Sequence, residues 1–130
     1  MPTVSRSSAR SPSTASTIGG LTFGRGQLWG ITDTGVIFRY DLRSREAVEA
    51  VEIPGGSRNT NWGRLPDLQF NRMDGLFYGI SATRQVFTFN GRTHEVRIID
   101  DEHEMGSLQV MPDGRVYLIN ETNVFSLDHQ

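Results

Sequence analysis

From residue 19 onward the chain runs in short apolar stretches broken by Gly, Asn and Asp, and none keeps a 3.6-residue period for three turns. Ile37-Phe38-Arg39-Tyr40 and Val86-Phe87-Thr88-Phe89 carry bulky apolar groups on both faces of an extended chain. An antiparallel strand with one wet face alternates apolar and polar residues, so these strands need cover on both sides. Ser44 to Ile53 is the nearest approach to a helix, with Ala47, Val48, Ala50 and Val51 able to form a stripe. Its β-branched residues, and its place after a strand and before Pro54, predict a strand instead.

The strands recur. GQLWGITDTGVIFRYD (Gly26–Asp41) and LFYGISATRQVFTFN (Leu76–Asn90) align without a gap at Gly30 and Gly79. Trp29 then matches Tyr78, Ile31 Ile80, Thr32 Ser81, Thr34 Thr83, Ile37 Val86, Phe38 Phe87, Tyr40 Phe89 and Asp41 Asn90. A third copy, RVYLINETNVFSLD, places Tyr117, Ile119, Asn120 and Thr122 on the same positions. After one deletion, Val124, Phe125, Leu127 and Asp128 follow. The matched apolar residues Trp29, Ile31, Ile37, Phe38 and Tyr40 are expected to fill space between sheets. The recurring Thr32 and Thr34 are expected to shape a turn.

A short strand and a turn precede each copy: LTFGRG, LQFNRMDG and LQVMPDG, whose openings lie 47 and then 40 residues apart. Asp74-Gly75 and Asp113-Gly114 are hairpin turns in which Gly supplies positive φ. The glycine pairs Gly19-Gly20 and Gly55-Gly56 are assigned to loops. A further strand follows each of the first two copies, AVEAVEI and HEVRIID. The unit is therefore four short antiparallel strands, and periods of about 40–45 residues mark propeller blades.

This pattern resembles the six-bladed β-propeller repeats of NHL proteins, gluconolactonase-like enzymes and streptogramin lyase, in which a DG-x-hydrophobic-aromatic strand is followed by one ending near Asp or Asn. The resemblance covers residues 20 to 128. It implies an all-β fold of antiparallel four-stranded blade repeats, a partial β-propeller of about 2.75 blades. Residues 1–18 form a disordered or extended tail, and residues 19–130 form three blades at about 20–54, 67–106 and 107–130. Three repeats do not close a ring, and the third copy stops after its third strand. Three arrangements answer this: two chains joined into a six-bladed ring, a chain that continues or packs on another protein, and an open stack. The tail is one source of the missing strand.

Composition narrows the chemistry. Thirteen basic and 15 acidic residues give a charge of −2, which leaves no electrostatic footprint for nucleic acid or an anionic membrane. All the basic residues are Arg, a planar forked donor suited to carboxylates and aromatic faces. The absence of Cys excludes disulfides, thiolate metal sites and Cys nucleophiles. No apolar run reaches the ~20 residues that span a bilayer, and the tail lacks the apolar centre of a secretory signal.

Candidate chemistry falls in the loops. In propellers the second-to-third-strand turns and the inter-blade linkers gather on one face. The long linker holds Asn59, Asn61, Trp62 and Arg64, an indole beside amide and guanidinium donors that suits a carbohydrate or peptide. Asp33, Asn120 and Glu121 lie in the turns of that face. By resemblance to the gluconolactonase-like enzymes, these three are also candidates to hold a divalent cation. Asp101, His103 and Glu104 in the acidic run DDEHE are further candidate metal ligands, although their spacing matches no metal motif. No catalytic constellation stands out, and no cofactor is required. The expectation is a noncatalytic β-propeller-type binding or interaction module for carbohydrate or peptide, working as a homodimer or with another protein that completes the propeller. The alternative is a metal-dependent lyase or hydrolase whose site a second chain completes.

Overall fold

The computed structural model describes residues 18–55, 65–100, 102, 105–120 and 123–127. The expectations placed on residues 1–17 lie outside them. Among the described residues there is no helix, and the fold is all-β with every strand pair antiparallel. The first sheet contains β1 (Ile18–Gly24), β2 (Gln27–Thr32), β3 (Val36–Asp41) and β4 (Glu46–Glu52) in that order. The second contains β5 (Asp67–Asn71), β6 (Leu76–Ile80), β7 (Val86–Phe89) and β8 (Val96–Asp100). The third contains β9 (Ser107–Val110), β10 (Val116–Asn120) and β11 (Asn123–Leu127). The segment with a possible helical stripe is thus a strand, β4. Gly19 and Gly20 belong to β1 rather than to a loop.

The sequence repeat is reproduced in the hydrogen-bond register. Trp29 lies opposite Thr22 and Arg39, Tyr78 opposite Gln69 and Thr88, and Tyr117 opposite Gln109 and Ser126. Gly30 faces Phe38 and Gly79 faces Phe87, where the third copy sets Leu118 against Phe125. A Cβ added to Gly79 would stand 2.4 Å from Phe87 Cζ and 2.7 Å from the Asp67 carbonyl. The Phe ring therefore lies across the bare glycine of its neighbouring strand, the same arrangement in both copies.

The first strand of each sheet runs beside the first strand of the next, β1 along β5 and β5 along β9. Two apolar cores separate the sheets. Trp29, Ile31 and Ile37 meet Leu68, Phe77, Phe87 and Phe89 between the first and second. Tyr78, Ile80 and Val86 meet Leu108, Val116 and Leu118 between the second and third. The second sheet is thus apolar on both faces, which is why its strands do not alternate. Phe38 and Tyr40 differ from expectation: their register puts them on the opposite face of the first sheet from Trp29.

The two junctions bring their first strands together differently. β1 approaches β5 closely at Gly24, where a Cβ would stand 2.4 Å from the Phe70 ring. Between β5 and β9 the Gln69 amide serves as a bridge. Its Nε2 donates to the Leu108 carbonyl (2.9 Å), and its Oε1 accepts from the Val110 N–H (2.8 Å). The buried Asn71 amide adds a bond to the Gly114 carbonyl (2.9 Å).

The turns after β3 and β7 extend the repeat beyond its sequence match. Arg45 N donates to Asp41 O and His94 N to Asn90 O, each at 2.7 Å, and both donors have positive φ (59° and 64°). Asp41 Oδ1 accepts from the Arg43 N–H, and Asn90 Oδ1 from that of Arg92. This backbone hydrogen bond is the main reason the Asp41 carboxyl is held below its ordinary value of 3.8. A carboxyl depressed in the folded state adds stability above its unfolded pKa and loses it as pH falls through the folded one. Asp41→Asn installs the second copy's residue and keeps the acceptor. Its melting temperature is expected to fall less than the parent's between about pH 6 and pH 2.5; parallel curves would contradict this.

Candidate functional site

At the end of the sheets that carries the β2–β3 and β6–β7 turns, side-chain hydroxyls organise the backbone. Thr32 Oγ1 and Thr34 Oγ1 lie 2.9 Å apart, as do Ser81 Oγ and Thr83 Oγ1. The Val36 and Gln85 N–H groups donate back to Thr32 and Ser81. These recurring residues close their own turns, as local hydroxyl–backbone bonding favours. Thr83 and Gln85 also reach across to the first sheet's exit, donating to the carbonyls of Gly55 (2.8 Å) and Pro54 (2.9 Å).

Arg84 is the residue that the pattern concealed. It occupies the left-handed turn position (φ 67°) where the first copy has Gly35 (φ 81°), and its side chain is buried at 4% exposure. Its guanidinium donates to the carbonyls of Met105 (3.0 Å), Leu65 (3.2 Å) and Gly106 (2.7 Å). Leu65 leads into β5, and Met105 and Gly106 lead into β9. One side chain therefore ties together the starts of two neighbouring first strands. The only signal in the sequence was an Arg where the first copy has Gly35.

Of the residues predicted to form a site, Asp33 is half-buried in the β2–β3 turn and Asn120 half-buried at the end of β10. Both stand at the same end of the sheets, with the second sheet between them. Asn61, Trp62, Arg64 and Glu121 lie outside the described residues, as do Asp101, His103 and Glu104. Among the described residues, no three of His, Asp and Glu come together in a group able to hold a metal ion.

The outward faces of the two end sheets are the other notable surfaces. Leu21, Phe23, Leu28, Phe38 and Tyr40 share the outer face of the first sheet by register; Leu21 (56%) and Phe23 (62%) are exposed, Leu28 and Tyr40 half-buried, and Phe38 is buried against Gly30. Their repeat partners are Leu68, Phe70, Phe77, Phe87 and Phe89, all packed into the core between the first and second sheets. Tyr117, Ile119 and Val124 share the outer face of the third sheet, with Ile119 46% and Val124 68% exposed. Their partners in the second sheet, Tyr78, Ile80 and Val86, are buried. Gln109, the partner of Gln69, also has that outward register, and its amide donates to the Val110 carbonyl of its own strand.

No protein-family model matches the chain, and no curated protein matches its sequence. A solved structure from Bacteroides thetaiotaomicron, described as a structural genomics protein of unknown function, is similar in fold. Its TM-score is 0.66 at 15% identity, over 85% of this chain and 33% of that one. The chain thus spans about a third of the length of the structure it matches. Among the described residues no helix is long and apolar enough to cross a membrane.

Proposed function

We propose that the chain is a noncatalytic interaction module built as part of a β-propeller, and that it works by stacking its end sheets against a second copy of itself. The observation that carries this reading is the register equivalence of the bare faces and the filled ones. The outer face of the third sheet repeats the face that the second sheet turns toward the third. The outer face of the first sheet repeats the face that the second turns toward the first. The two bare faces are therefore complementary to each other, as surfaces in a head-to-tail contact must be. In that contact Gln109 of one copy meets Leu21 and Phe23 of the next, as Gln69 meets Leu108 and Val110 within the chain. Two copies would make a six-bladed ring with no bare face. Asp33 and Asn120 then border its axial end, where a carbohydrate or peptide would be bound.

Light scattering of the full chain tests this. A mass of twice 14.6 kDa is expected, and Val124→Arg, on an exposed strand, is expected to return the chain to a monomer without loss of its β-sheet circular dichroism. A parent chain monomeric at about 100 μM overturns the reading. So does a mass that climbs with concentration without a limit, since that signals open-ended stacking rather than a ring.

A further inference from the structure

At the opposite end of the sheets from Arg84, an open cavity of about 410 Å³ lies between the β1–β2 turn and the β7–β8 turn. Among the described residues its lining is Arg25, Gln27, Trp29, Gly91, Arg92 and His94, which includes two guanidinium groups and no carboxylate. We propose that this cavity is a binding site for a small oxyanion-bearing ligand, a phosphate ester or an organic acid, held by Arg25 and Arg92. The proposal does not depend on the stacking of copies.

The first support is an unmet hydrogen bond. Trp29 is 1% exposed and gripped by Phe77 and Phe89, with ring centroids 5.7 and 5.1 Å away. Its Nε1 is the one buried side-chain nitrogen or oxygen without a partner among the described residues. Leaving such a donor unmet is costly, so each case calls for an explanation. The repeat makes the omission specific. At the equivalent position the Tyr78 hydroxyl donates to Asp74 of its own hairpin. Burial, then that bond, raises the Tyr78 pKa. In the first sheet the corresponding hairpin is the two-residue Arg25-Gly26 turn, which offers the indole a cation in place of a carboxylate.

The second support is how the walls are built. The six-membered ring of the indole faces Gly91, where a Cβ would stand 3.1 Å from Phe77 Cε1, 3.4 Å from Trp29 Cζ2 and 3.7 Å from Arg25 Cδ. The first sheet has Leu42 at the place of Gly91, a side chain that would narrow this space. Arg25 itself has φ of 54°, at a turn position where Asn, Asp or Gly is ordinary. A bulky residue kept in that conformation is strained, and Arg25 is one of the residues that line the cavity. His94 also has positive φ, but Arg45 shares it, so that conformation belongs to the turn.

The chemistry follows from the donors. Two forked guanidinium groups match the oxygens of a phosphate or carboxylate, and the Gln27 amide adds another donor. The indole N–H, which solvent does not reach, gains its missing acceptor when the Trp29 ring turns toward the bound oxyanion or a water that it orders. A volume of about 410 Å³ has room for more than the anionic head, with His94 beside the remainder.

Thermal melts of the full chain with inorganic phosphate and with malonate, against sodium chloride of equal ionic strength, test the site. One or both anions are expected to raise the melting temperature above the chloride control. A response to phosphate alone assigns a phosphate ester, and a response to malonate alone an organic acid. Arg92→Gln, at an exposed turn, is expected to weaken the apparent Kd at least tenfold, and so is Arg25→Asn, which suits the left-handed turn. Arg43→Gln, the equivalent position on the first sheet, is expected to leave it unchanged. In a Trp62→Phe background the remaining Trp29 fluorescence is expected to shift with the same Kd. No stabilisation beyond chloride, or an equal loss in all three Arg variants, overturns the proposal.

Discussion

Replacing Arg84 with alanine is expected to destabilise the chain by about 2–4 kcal/mol, among the largest effects of any single polar substitution in it. Three backbone carbonyls lose a charged donor at once, and in that buried setting water does not fully replace it. For a chain of this size the loss corresponds to a fall in melting temperature of roughly 10–15 °C. Arg84→Lys is expected to be nearly as harmful, because an ammonium lacks the flat fork that spans carbonyls on two separate segments. Arg84→Gly loses the same bonds but removes the cost of φ 67° at a side-chain-bearing residue. It should therefore be more stable than the alanine variant by up to about 1 kcal/mol. Urea unfolding of the variants decides this. A loss below about 1 kcal/mol for Arg84→Ala would mean that the guanidinium does not hold β5 and β9 in place.

The second large effect is expected at the glycine–aromatic pair of the second sheet. Phe87→Ala should cost about 3–5 kcal/mol, since the ring is wholly buried between the first and second sheets. Gly79→Ala should cost about 1–3 kcal/mol or more, because the new methyl meets both the Phe87 ring and the Asp67 carbonyl. The double variant should be less damaged than the sum by about 0.5–2 kcal/mol, because shortening Phe87 removes one of the two clashes. Strict additivity, measured by the same denaturant titration, would show that the ring does not occupy the glycine notch. The third sheet is a natural counterpart: Leu118 fills the notch, and Phe125 opposite it is 42% exposed.

Much of the architecture was legible because period and register are coupled. Matching Gly30 to Gly79 fixed which residues face one another, and strand pairing follows that match residue by residue. The apolar positions on both faces of β7 foretold a sheet covered on two sides, whereas β3, with the same pattern, lies in a sheet packed on one side only. Two things were not legible. The split of Phe38 and Tyr40 from Trp29 follows from the alternation of side chains along paired strands, which the repeat alone does not reveal. The Arg84 bridge and the cavity of Arg25 and Arg92 bring together residues far apart in sequence, and Arg84, Arg25 and Gly91 stand where the copies disagree. Recurrence in the chain gives no sign of them. The loops that looked richest in chemistry, around Trp62 and His103, fall outside the described residues.

The double-sided packing of the second sheet also sets how the fold holds together as a unit. Among the described residues each end sheet packs on the middle one, whereas the middle sheet takes part in both cores through β6 and β7. In a row of this kind stability is close to a sum of nearest-neighbour terms. Either end sheet can open while the remaining pair keeps one core, but opening the middle sheet dissolves both. Cooperativity therefore radiates from the centre of the chain, and local opening begins at its two ends.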